Sequence, residues 1–81
     1  MTPKMEASLS VLIMSIASSA AMAMGLAAQP DGKIEKDKEM ARFNIDLLLV
    51  LQAKTKNNLN EDEKHFLDSV ISDLQIKFVQ M

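Results

Sequence analysis

The sequence predicts an all-α fold of three helices with a long apolar N-terminal helix, assembled as a homo-oligomeric helical bundle. Three observations predict it. The chain is 48% apolar but only 4% aromatic, with seven Met, two Gly and two Pro and neither Trp nor Tyr, a mix that favours helix over sheet. Apolar residues recur at helical spacing in the second and third segments. Finally, no residue from Ala7 to Pro30 is charged. Two further helices of an 81-residue chain cannot easily enclose so apolar a rod.

Helix 1 is expected at about residues 6–28, and three readings of it compete. As a signal peptide it would use Lys4 as a positive start, Leu9 to Ala20 as the apolar run and Ala21-Met22-Ala23 as the cleavage pattern. Glu6 cancels Lys4, and cleavage would leave fewer than sixty residues without a cysteine. As a transmembrane helix it has the length, and Ser15, Ser19, Ala23 and Ala17, Ala21, Gly25 repeat at spacing four. It is, however, rich in Ala and Ser, lacks Trp and Tyr belts and has Lys4 as its one flanking cation. The third reading, adopted here, is a buried helix shielded by a second subunit. Its expected oligomer interface is Leu9, Leu12, Ile13, Ile16, Ala20 and Ala23, with Val11, Met14, Met22 and Leu26 on another stripe. Ser8, Ser15, Ser18 and Ser19 can return their hydroxyls to the i−4 carbonyl.

Gln29-Pro30-Asp31-Gly32 reads as a turn, with Pro where its fixed φ suits the bend, and Lys33 to Lys36 as a polar connector. Helix 2 is expected at about 37–55, capped by Asp37, with Glu39 in its first turn and Lys54 in its last. Met40, Ala41, Ile45, Leu48 and Leu51 form its apolar stripe, interrupted by Asn44, and Leu47 to Leu51 is apolar without a break. An Asn57-Asn58 loop suits a left-handed helix end. Asn60-Glu61-Asp62-Glu63 then reads as a capping box with Asn60 and Glu63 as structural caps. Helix 3, about 61–80, carries Phe66, Leu67, Val70, Ile71, Leu74, Phe78 and Met81 on one face, with Ile76 and Val79 off it.

Composition narrows the function classes. A domain this short buries only roughly 60–65% of its unfolded surface and needs some further support. With no cysteine and the single histidine His65, disulfides, thiolate sites and histidine-cluster metal sites are excluded, and no cofactor is expected. A net charge of −2, with the basic residues of Lys33 to Lys38 and Lys54 to Lys56 interleaved with acids or amides, argues against a nucleic-acid partner.

The run Ile45-Asp46-x-Leu48-x-x-Leu51-Gln52-x-Lys54-Thr55-x-x-Asn58-Leu59-x-x-x-Glu63 resembles the centre of a small uncharacterised bacterial family, domain of unknown function number eighteen forty-four. The resemblance continues through Leu67, Ile71 and Leu74 to Phe78-Val79, and reaches back to Leu9, Leu12, Ser15-Ile16-Ala17, Ala20 and Gly25-Leu26. The chain departs from it at Leu9 and Leu12, where the family tends to have Phe, and at Gln75-x-x-Phe78, where it tends to have Arg-x-x-Tyr. The resemblance implies a bacterial, non-secreted helical protein, hence a cytoplasmic location, with helix 1 inside the folded domain. The family has no assigned activity and supplies no catalytic residue.

No residue set signals catalysis. Asp46 reads as a solvated side chain paired with Arg42 at i−4, against the alternatives of an interface anchor or a proton-active carboxylate. His65 reads as exposed, since no nucleophile or metal is signalled beside it. Lys54-Thr55 is similar to the end of a phosphate loop but lacks its glycines. Met14, Met22, Met24 and Met40 read as adaptable core filler rather than a peptide groove. The expected function is therefore non-catalytic, an oligomerisation or interaction module whose partner is itself or an unidentified protein. A membrane protein with helix 1 in the bilayer is the alternative. An enzyme would need a polar pocket built across subunits from Asp46, Asn44 and Lys54.

Overall fold

Helix α1 spans Leu9–Ala23, α2 Lys38–Lys54 and α3 Glu61–Val79 in a computed structural model that describes residues 8–81. Each helix starts at a side chain that satisfies an otherwise orphaned amide. Ser8 Oγ accepts from the Val11 amide at 3.2 Å, and Asp37 Oδ1 from the Met40 amide at 3.1 Å. At α3 the cap is reciprocal. Asn60 Oδ1 accepts from the Glu63 amide at 2.8 Å, while the Asn60 amide donates to Glu63 Oε1 at 3.0 Å. Replacing Asn60 by Ala removes one half of that box. The expected loss is about 1 kcal/mol of unfolding free energy, checked by urea melts.

Helix α1 ends at Ala23, not near residue 28. Gly25 is the cause. It takes φ +76°, its amide donates to Met22 O at 3.1 Å, and the Leu26 amide donates to Ala21 O at 2.9 Å. These two bonds are the helix-terminating motif that a residue without Cβ permits. The expected start near residue 6 and the Lys4–Glu6 pair lie outside the described residues. Residues 24–37 then return as a tight loop. The Gly32 amide donates to Gln29 O and the Gln29 amide to Lys33 O, both at 2.8 Å, Met24 pairs with Lys36, and the Asp37 amide reaches Ala23 O at 2.7 Å. The end of α1 is thereby tied to the start of α2.

The three helices touch pairwise, and the core draws on all of them. Ile13 of α1, Leu48 of α2 and Leu67 of α3 are fully buried, with Ala20, Ala23, Met24, Ala41, Ile45, Ile71 and Leu74 around them. Helix α3 runs antiparallel to α2. Lys38 Nζ sits 5.4 Å from the Phe78 ring centroid at one end, and Gln52 bonds Asp68 towards the other. The result is flat, 39 × 36 × 15 Å. Asn44 is the one buried polar residue among those described. Its Nδ2 returns to Met40 O at 2.9 Å, so its amide is satisfied within its own helix.

Candidate functional site

The expected oligomer interface divides once the chain is folded. Ile13, Ala20 and Ala23 are covered by their own chain, and Leu9 and Ile16 pack against the same cluster. Leu12 alone of the six is largely exposed, at 47%. That stripe is therefore mainly the inner face of α1, because α2 and α3 between them cover one side of the helix. What remains open is the other side: Val11, Met14, Ser15 and Ser18 line a shallow depression with Ser10. The Ser15 hydroxyl donates to Val11 O at 2.9 Å, so its presence there leaves no unpaired donor.

Helix α2 is apolar on more than its inner face. Met40, Phe43, Leu47, Leu49 and Val50 are all exposed, as are Ile76 and Val79 on α3. The four methionines do not line one groove. Met24 is core, Met14 lies on the outer side of α1, and Met22 and Met40 share a depression of about 380 Å³ beside Asn44.

A cleft of about 840 Å³ lies between the C-terminal half of α2 and α3. Its polar centre is Asp68. Oδ1 accepts from Gln52 Nε2 at 2.8 Å and Oδ2 from Lys64 Nζ at 3.0 Å. The Lys64 bond first, then the Gln52 bond, hold this carboxyl below the usual carboxylate range. A general acid at neutral pH needs the opposite shift. Through Gln52, Asp68 joins α3 to α2. Sequence reasoning missed this pair. The i,i+4 spacing of Lys64 and Asp68 was visible, but Gln52 reaches Asp68 only after the two helices fold together.

This carboxyl has a pH consequence. It binds a proton less readily when folded than when unfolded, so protonation favours the unfolded chain. Its contribution is present at neutral pH and fades as pH falls through the acid end of the carboxylate range. Asp68→Asn is expected to lower the melting temperature at pH 7, and the gap from the parent protein is expected to close by pH 2–3. Melts at the two pH values check both halves of that statement.

Asn44, Asp46 and Lys54 are not brought together within the chain. Asn44 is buried on the inner face, whereas Asp46 and Lys54 are exposed. Asp46 does not pair with Arg42. The ion pairs among the described residues are Lys64–Asp68 and Lys77–Asp73. His65 is exposed, and Lys54 and Thr55 end α2 without a glycine loop before them. Among the described residues, no three His, Asp or Glu side chains gather as a metal cluster, and no helix is long and apolar enough to cross a membrane.

No curated protein matches the chain, and no solved structure does. A family match runs over residues 6–80 and takes in all three helices together with the loops that join them. The chain belongs to the family described as Domain of unknown function (DUF1844).

Proposed function

We propose that the chain is a non-catalytic, cytoplasmic helical module that assembles with copies of itself. One observation carries the reading. Among the described residues, twelve large apolar side chains are exposed, from Val11, Leu12 and Met14 to Ile76 and Val79, against seven large ones buried in the core. Scattered exposed apolar residues are ordinary, but a concentration on two adjacent helices marks a surface that another molecule covers. The uncharged outer side of α1 and the apolar outer side of α2 form that concentration. The 15 residues of α1 rise about 22 Å, short of the roughly 30 Å hydrocarbon layer, which does not favour the bilayer alternative.

Size exclusion coupled to light scattering tests the proposal on the full chain. A dimer or larger species at micromolar concentration is expected. A monomer throughout the micromolar to millimolar range would sink it. Recovery in the soluble fraction of cells without detergent is the expected outcome for location.

A further inference from the structure

We propose that α2 carries a second apolar seam on its outer side, and that a second copy of this chain packs there antiparallel about a two-fold axis. The proposal rests on the self-association reading and adds the face and the register. Met40, Phe43, Leu47 and Val50 follow one another at spacings of three, four and three, the pattern of helices packed seam to seam. They are exposed by 49, 55, 36 and 55%. The inner seam of Ala41, Asn44, Ile45 and Leu48 is already covered. At 100° per residue the outer seam lies roughly 130° round the helix from it, so neither α1 nor α3 can serve both.

Charge sets the register. Glu39, Asp46 and Lys54 lie along or beside the outer seam, are exposed and take no part in the ion pairs of the described residues. In a parallel pair each would meet its own copy, placing Lys54 against the partner's Lys54. With the two-fold axis passing residue 45 of an antiparallel pair, Met40 meets the partner's Val50 and Phe43 meets the partner's Leu47. Along the helix axis, Glu39 then lies within about 4.5 Å of the partner's Lys54. Symmetry repeats each pair. Asp46 also approaches the partner's Asp46, one repulsion set against two Glu39–Lys54 attractions.

The seam spans about 15 Å and alone falls short of the roughly 800 Å² that a stable interface takes from each partner. Helix α1 extends it. Met22 lines the same depression as Met40, and Val11, Ser15, Ser18 and Met22 form an uncharged stripe at spacings of four, three and four. The occupant is thus a pair of helices like these two, which a second copy supplies.

The chain has no cysteine, so single cysteines can carry spin labels without other changes. Asp46→Cys sits near the proposed axis and Ala53→Cys away from it. In the labelled dimer the Asp46→Cys pair is expected well under about 20 Å apart, and the Ala53→Cys pair at about 25–30 Å, from its axial offset of about 24 Å. Leu47→Glu is expected to raise the dimer dissociation constant tenfold or more with helix content unchanged. Lys54→Glu is expected to weaken the dimer, and adding Glu39→Lys to restore it. Short distances at both labels, or a dimer indifferent to Leu47→Glu, would overturn the proposal while leaving self-association standing. A monomeric parent chain would overturn both.

Discussion

Leu48→Ala is expected to remove about 2–5 kcal/mol of stability, the largest effect of any single substitution proposed for this chain. Leu48 is fully buried at the point where the inner face of α2 meets the cluster formed with Ile13 and Leu67. Removing its isobutyl group loses the transfer energy of those atoms and opens a hole that so small a core has little slack to close. An 81-residue domain holds only about 4–12 kcal/mol in total, so the variant loses a large share of it. Ile76→Ala is the matched control, because Ile76 is 60% exposed; its effect is expected within about 0.5 kcal/mol. Urea melts at one fixed protein concentration make the comparison, since association couples stability to concentration. Equal losses from the two substitutions would mean that the core is not where Leu48 sits.

Gly25→Ala is expected to cost about 1–2 kcal/mol, the strain of holding an L-residue at φ +76°. A Cβ there would also lie 2.9 Å from Lys36 Cγ, so the Lys36 side chain must move. Gly32→Ala is the informative partner. Gly32 has φ +85° but nothing within 4 Å of the added carbon, so it carries the strain without the clash. The first variant is expected to melt at the lower temperature. Gly25 matters more because it stops α1 and lets the loop close on it, with the Asp37 amide bonded to Ala23 O. If the two glycines tolerate Ala equally well, the loop does not depend on that close approach.

The parts of the fold legible beforehand were those governed by neighbours in sequence. Asp37 and Asn60 cap their helices because a short oxygen-bearing side chain reaches an amide three residues on. The Gln29 to Gly32 turn follows from the fixed φ of Pro30 and the freedom of Gly32. Gly25 was legible by the same rule, yet the apolar run of α1 continues past it and suggested five more helical residues. A local terminator outweighed hydrophobic periodicity, because the amides of Gly25 and Leu26 satisfy carbonyls at the helix end.

The candidate surface was legible only in part. Ile13, Ala20 and Ala23 mark an apolar stripe, but periodicity says that a stripe is covered and not by what. The same limit hid the outer side of α2, where Met40, Phe43, Leu47 and Val50 interleave with the inner residues in one apolar run. Gln52 and Asp68 are sixteen positions apart, and no local rule couples them.

Short-range chemistry, then, was enough for three helices and the caps of the second and third, though not for Ser8 as the cap of the first. Packing settled which apolar residues turn inward, where α1 meets its loop, and that Gln52 of α2 bonds Asp68 of α3. The division has a physical cause. A cap or a turn spends its hydrogen bonds within four residues, whereas burial is a property of a face and depends on whatever elements close over it.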